Sequence, residues 1–213
     1  MPIIAIANQK GGCGKSTLAV AIASALGKRR RVVLLDADVQ GTAAEWGGSG
    51  RLPVEVRSVP VEEGNSRLLL EAIAEASEVA EVVVLDLPPH SSAVLSAALA
   101  VADLVVVPAQ PSSADLSATA KTLAVIREAR EVRGKGQPRC LLVPSRVDRR
   151  TASGREIEAA LSDFGEPVGP AICQRQAHAD AHAAQLWVGD FAPRSAAHTE
   201  IEALAALVGR MAK

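Results

Sequence analysis

Residues 8 to 17 of this 213-residue chain read Asn8-Gln9-Lys10-Gly11-Gly12-Cys13-Gly14-Lys15-Ser16-Thr17. They stand between the apolar runs Ile3-Ile4-Ala5-Ile6-Ala7 and Leu18-Ala19-Val20-Ala21-Ile22-Ala23. The order reads as strand, glycine loop and helix. In the spacing Gly-Gly-x-Gly-Lys-Ser, successive backbone N–H groups surround one concavity at a helix N-terminus, where free amides and the helix dipole favour a polyphosphate. Glycine suits such a loop because the backbone turns through positive φ and approaches the phosphates closely. Lys15 reaches the β- and γ-phosphates, and the Ser16 hydroxyl is placed to ligate Mg²⁺. The general phosphate-loop pattern has glycine where this chain has Gln9. Instead Lys10 opens the glycine run, bringing more positive charge than one γ-phosphate needs.

Past this loop, short Val/Ile/Leu runs recur at Ile3–Ala7, Val32–Leu35, Val82–Leu85, Leu104–Val107 and Leu141–Val143. Runs this short, apolar at consecutive positions, fit strands buried on both faces of a parallel sheet. Between them, 18–27, 66–79, 91–101 and 113–132 carry apolar residues at helical spacing. The alternation predicts a doubly wound, mostly parallel α/β sheet with helices on both faces and ligands at the carboxyl ends of the strands. Residues 47–64, with Gly47-Gly48-Ser49-Gly50 and two prolines, read as a connection around a short edge strand at Val54–Val59. No stretch is rich enough in Pro, Gly or Ser to divide the chain, so 1–213 is expected to be a single P-loop domain.

Three carboxylates belong with the loop. The second strand runs into Asp36-Ala37-Asp38-Val39-Gln40-Gly41, and carboxylates at i and i+2 on a strand end point the same way. In a phosphate site such a pair holds Mg²⁺ through water and positions an attacking water. The run Val82-Val83-Val84-Leu85-Asp86, followed by Leu87-Pro88-Pro89, places a carboxylate at the end of a buried strand, where it meets Mg²⁺ or its waters. After Leu104–Val107, Pro111-Ser112-Ser113 reads as a loop ending in a helix cap.

Composition narrows the partners. With 23 basic and 24 acidic side chains the chain has no global nucleic-acid signature, so DNA contact requires a local patch. Arg146, Arg149, Arg150 and Arg155 form one dense basic cluster and Arg29-Arg30-Arg31 another. Arg175, Arg194, Arg210 and Lys213 are candidates to extend the first. Backbone binding without sequence readout needs only several basic side chains on one face. Tyrosine is absent and aromatics are few, which removes the stacking platforms of single-strand binders. Three scattered cysteines fit reduced thiols, and no run of 18 apolar residues occurs, so a cytoplasmic protein without a membrane span is expected. His178 and His182, four apart, have metal-ligand spacing without a third ligand, which favours an ordinary surface helix. Residues 196–212 form a helix whose face of Ile201, Leu204, Leu207, Val208 and Met211 docks on the sheet or lies on a membrane; the few basic residues beside it argue against the membrane.

Lys10-Gly11-Gly12-Cys13-Gly14-Lys15-Ser16-Thr17 resembles the deviant Walker A box of the ParA/MinD family of ATPases, and the likeness extends over nearly the whole chain. Asp36 to Gln40 is similar to the family's Asp-x-Asp-Pro-Gln box, with Val39 in place of proline, and Asp86 closes the Walker B strand. The resemblance is closest to small ParA-like (ParF-type) partition proteins. It implies ATP and Mg²⁺ as cofactors, with nucleotide held by Lys10 to Thr17 and by Arg146 near an adenine base. Ser16, Asp36 and Asp86 would stand at the metal, Asp38 would orient the hydrolytic water, and Lys10 would cross a dimer interface to the partner's nucleotide. A homodimer when ATP-bound, non-specific DNA binding on the nucleoid and a ParB/ParG-like centromere-binding or cargo adaptor protein follow from the same likeness. The alternatives are a MinD-like membrane-cycling ATPase, a P-loop metabolic or metal-delivery enzyme, and a GTPase. Ser145-Arg146-Val147-Asp148 motivates the last, since it is partly similar to the Asn-Lys-x-Asp guanine reader.

Overall fold

The computed structural model describes residues 1–61, 65–89 and 91–213. Among these, seven strands form one sheet: β1 (Ile3–Ile6), β2 (Val32–Asp36), β3 (Glu55–Ser58), β4 (Val82–Asp86), β5 (Leu104–Ala109), β6 (Arg139–Val147) and β7 (Ile172–Cys173). Their order is β3-β2-β4-β1-β5-β6-β7, and every pairing is parallel. The helices are α1 (Lys15–Gly27), α2 (Thr42–Gly47), α3 (Ser66–Val79), α4 (Ser92–Val101), α5 (Ser113–Arg133), α6 (Ala152–Ser162), α7 (Gln176–Ala183), α8 (Val188–Phe191) and α9 (Ala196–Met211).

The strand sequences explain the layers. Side chains alternate across a strand, so in β1 Ala5 joins one core while Ile4 and Ile6 join the other. The Ala5 side is covered by α3, α4, α5 and α6 through Leu69, Leu95, Leu123 and Ile157; the Ile4 side is covered by α1, α2, α8 and α9 through Leu18, Trp46, Val188 and Leu204. All five residues of β2 and of β4 are buried, as parallel strands covered on both faces must be. The edge strand β3, shorter than the expected Val54–Val59, has no fully buried residue.

The terminal helix settles against the protein. Ile201, Leu204 and Val208 are buried in the same core as α1, and α9 packs along that helix and on β7. Burying each such side chain contributes about 1.5–3 kcal/mol, which holds this face in the fold, and Leu207 and Met211 pack partly buried against the same core. Among the described residues no helix is long and apolar enough to cross one. The order of the strands turns at β1, which lies between β4 and β5. A crevice opens there beyond the carboxyl ends, and the glycine loop sits in it.

Candidate functional site

The loop after β1 takes the shape its glycines allow. Gly12 and Gly14 have φ of 75° and 97°. A Cβ on Gly14 would also stand 2.9 Å from the Ser145 hydroxyl at the end of β6, so glycine is required there twice over. Gly14 is the N-cap of α1, yet no side chain caps the helix. The first amides of α1 thus lack a side-chain acceptor, and an anion is the group that completes them.

A cavity of about 1240 Å³ opens above the loop. Gly11, Gly12, Gly14, Lys15, Ser16 and Thr17 line it, together with Asp38 and Arg146 from the ends of β2 and β6. The sequence-predicted residues Lys10, Cys13, Asp36 and Asp86 stand outside that lining. Cys13 turns inward, where burial pushes its thiol pKa up and Sγ donates to the Lys10 carbonyl at 3.2 Å. Lys10 turns sideways and pairs with Asp115 on α5 at 2.8 Å.

The two buried strand-end aspartates sit side by side, in register on β2 and β4. Asp36 is satisfied: its carboxylate accepts from the Asp38 amide at 3.1 Å and the Ala44 amide at 2.8 Å. Burial still raises its pKa, against the pull of those amides. The strand ends at Asp36, so the i, i+2 alternation expected of Asp36 and Asp38 stops there, and only Asp38 looks into the cavity. Asp36 instead ties down the loop that carries Asp38 and the first turn of α2. Val39, at the family's proline position, is exposed.

Asp86 is the opposite case. Both carboxylate oxygens are buried with no hydrogen-bond partner. Its pKa is pushed up to about 7, chiefly by burial; the Ser16 hydroxyl beside it opposes the shift, Asp36 reinforces it, and Lys15 opposes it. A buried carboxylate that accepts no hydrogen bond of good geometry, with the Ser16 hydroxyl beside it, fits a cation such as Mg²⁺ or its water shell. Ser16 and Asp86 would hold that ion, which would neutralise phosphate charge.

Further along the edge, the side chains of Asn8, Gln110 and Arg146 brace the loop. Asn8 donates to the Pro108 carbonyl at 2.8 Å and accepts from the Lys10 amide at 3.1 Å. The Gly12 carbonyl accepts from Gln110 at 2.7 Å and from Arg146 at 3.0 Å. Arg146 has φ of 52°, a conformation unfavourable for a side-chain-bearing residue, which aims its guanidinium at the loop. Lys15 Nζ donates to the Lys10 carbonyl at 3.1 Å. Asp148, where a guanine reader would stand, is gripped by Arg150, whose Nε and Nη2 lie 2.9 and 2.8 Å from its two oxygens. That pair holds the carboxyl at about pKa 2.

The basic residues divide into two groups. Arg146, Arg149, Arg150 and Arg175 all border the cavity. Arg149 pairs with Glu158 and Arg175 with Glu200, while Arg155 donates to the Arg150 carbonyl. Arg210 and Lys213 do not join them: the neighbouring Met211 carbonyl accepts from Arg139 at the start of β6, placing the end of α9 at the opposite edge of the sheet. His178 and His182 both face the cavity from α7, and His182 packs on Trp46 at 4.5 Å between ring centroids. Among the described residues, no three His, Cys, Asp or Glu side chains are grouped to hold a metal.

Comparison with known proteins agrees with this geometry. Residues 4–186 match the model of the CobQ/CobB/MinD/ParA nucleotide binding domain. The chain is 31% identical over 175 residues to maintenance of carboxysome distribution protein A of Halothiobacillus neapolitanus, covering 82% of this chain and 80% of that one. It is 36% identical over 198 residues to the chromosome-partitioning ATPase Soj of Thermus thermophilus, covering 78% of each. Among solved structures, the ATP complex of Cyanothece McdA superposes with a TM-score of 0.80 at 16% identity, over 99% of this chain and 96% of that one. The septum site-determining protein MinD of Pyrococcus horikoshii with Mg-ADP gives 0.78 at 20% identity, over 99% and 97%.

Proposed function

This chain belongs to the CobQ/CobB/MinD/ParA family and is an ATPase of the ParA positioning and partition type, and from that premise we propose that it is a nucleotide-controlled dimer switch. ATP with Mg²⁺ occupies the cavity above α1, two copies close face to face, and each supplies Lys10 to the other's phosphates. The closed dimer binds DNA non-specifically on the nucleoid. A centromere-binding or cargo adaptor protein then stimulates slow hydrolysis and releases it, and the cargo is a plasmid, a chromosome locus or a protein assembly.

The observation that carries this reading is the placement of the two lysines of one loop. Lys15 lines the chain's own cavity; Lys10, five residues earlier, does not. Its side chain is partly exposed and its ammonium group rests on Asp115 rather than in its own cavity, which leaves it available to a second molecule's nucleotide. A lysine delivered from outside stabilises charge in a loose phosphoryl-transfer transition state as an arginine finger does, an effect of about 10³ to 10⁵ in rate. In this reading Asp38, which faces the cavity, orients water, Ser16 and Asp86 hold the metal, and Arg146, which braces the loop through the Gly12 carbonyl, lies near the base. The exposed arginines 149, 150 and 155 are the candidates for phosphate-backbone contact; their surface ion pairs are worth little and exchange readily for DNA phosphates.

A gel shift on random-sequence DNA tests the reading. Binding is expected with ATP–Mg²⁺, absent without it, and steeply weakened by salt. Binding that ignores nucleotide, or an ATP-loaded chain that binds anionic vesicles and not DNA, would overturn it.

A further inference from the structure

Trp46 joins two walls of the cavity that come from opposite sides of the sheet. It belongs to α2, the six-residue helix that follows β2, and it is 4% exposed. Its indole Nε1–H donates to the Leu186 carbonyl at 3.0 Å, and its ring packs on His182 with centroids 4.5 Å apart. Arg51, shortly after α2, donates from Nη1 to the Ala184 carbonyl at 2.8 Å. All three partners lie at the end of α7 or in the turn after it. Four strands separate β2 from β7 in the sheet, yet the segments that follow them meet here. Asp38 and Trp46 from one side, and His182 from the other, all line the cavity.

α2 needs such an anchor. A helix this short does not hold itself together in water, and its N-cap, Gly41, has no side chain to cap it. Its place is therefore set by what grips it. In the first turn the Ala44 amide donates to Asp36 at 2.8 Å. In the last turn the grip is Trp46, by far the larger of the two buried residues of this helix, Ala43 and Trp46. The turn from Asp38 to Gly41 leads directly into α2 and is closed by the Gly41 amide, which donates to the Asp38 carbonyl at 2.9 Å. Held by Asp36 alone, α2 would pivot about the end of β2 and carry the Asp38 carboxylate with it. A displacement of about 1 Å in a group that orients a reactant costs about 10²-fold in rate.

We propose that Trp46 is a positioning residue for hydrolysis: by tying α2 to the end of α7 it holds Asp38 at the place from which it orients the attacking water. This rests on the reading above, in which Asp38 has that role. The phosphate-binding loop takes no part in the tie, so nucleotide binding and hydrolysis separate. Loss of the tie leaves ATP bound and slows its turnover. Arg51 acts in the same direction with a smaller share, since it is exposed to solvent.

The test uses the full chain with Trp46→Phe, which keeps an aromatic ring beside His182 and removes the N–H. A second variant, Arg51→Ala, removes the other donor without touching the core and carries the same comparison if W46F does not fold. Single-turnover hydrolysis of radiolabelled ATP–Mg²⁺, with protein in excess, gives the rate per bound nucleotide; titration of a fluorescent ATP analogue gives the affinity. The rate is expected to fall about tenfold in W46F and about two- to threefold in R51A, with affinity within about twofold of wild type. In a double-mutant cycle with Asp38→Asn, W46F is expected to add little to the loss that D38N already causes, because both act on the same water. A folded W46F that hydrolyses ATP at the wild-type rate, while D38N is slow, would overturn the proposal and leave the role of Asp38 standing. The same tenfold loss in the D38N background, or equal losses of rate and affinity, would show that Trp46 only supports the fold. A D38N chain that hydrolyses at the wild-type rate would instead overturn the reading of Asp38, and the proposal with it.

Discussion

Asp36 and Asp86 end neighbouring strands at the same register, and both are buried, yet they live in opposite electrostatic situations. Asp36 accepts two backbone amides. Asp86 accepts none. Two aspartates of one sheet edge therefore do different work, one holding the Asp38 loop in shape and the other waiting for a cation. Sequence position cannot tell them apart, because each follows an apolar strand. What separates them is the chain that follows. After β2 the backbone folds back so that Asp38 and Ala44 present their amides, whereas after β4 the segment Leu87-Pro88-Pro89 leads away and its prolines have no N–H to offer.

Substitutions can break this contrast. Asp86→Ala should weaken Mg²⁺-dependent ATP affinity about 10- to 100-fold, measured by titration of a fluorescent nucleotide, without lowering the melting temperature of the nucleotide-free chain. If the metal-free fold loses stability instead, Asp86 is a structural group like its neighbour. Next in size, Asp36→Ala leaves the Asp38 and Ala44 amides without their acceptor and should cost about 1–3 kcal/mol in denaturant unfolding. Hydrolysis per bound ATP should fall with it, because Asp38 loses its anchor, while ATP affinity changes much less. A stable variant that cannot bind Mg²⁺ would reverse the assignment of the two carboxylates.

A further effect is a slope with pH. A carboxyl whose pKa is raised from its ordinary 3.8 to about 7 holds a proton in the folded chain that the unfolded chain has released. The folded state then binds more protons across that window, so stability from this group is complete below the ordinary value and is lost as pH rises through about 7. Asp86→Asn, always neutral, removes that loss. Its melting temperature should gain on wild type between pH 5 and pH 8 when Mg²⁺ is absent, and a constant difference would show that Asp86 is ionised throughout.

Much of the framework was legible from periodicity. Four predicted strands and the helices at 66–79 and 113–132 fall within a residue or two of β1, β2, β4, β5, α3 and α5, and the fifth, Leu141–Val143, is the middle of the longer β6, because continuous Val/Ile/Leu runs between amphipathic stretches leave few other solutions. The short elements α2, β7 and α8 escaped, since they depend on tertiary packing rather than on a repeat of their own. At the site, the glycine loop and Asp86 were readable as local motifs. The bracing by Gln110, Arg146 and Asp115 was not, for it joins residues about a hundred positions apart that meet only once β1, β5 and β6 are laid side by side. One clue was available: Ser112 followed three residues later by Asp115 is a capping signature, and it fixes the carboxylate where Lys10 arrives.

Complementation between two impaired chains tests most directly whether Lys10 serves its partner. Lys10→Ala and Asp38→Ala chains are each purified, shown to bind ATP and to hydrolyse it poorly, then mixed in equal amounts with ATP–Mg²⁺. If Lys10 acts across the interface, the mixed dimer contains one complete site, made of Asp38 from one chain and Lys10 from the other. The mixture should then regain about a quarter of the wild-type rate, since half of the dimers are mixed and each has one working site of two. If Lys10 acts on its own nucleotide, no combination assembles a complete site, and a mixture no faster than its two components would contradict the switch.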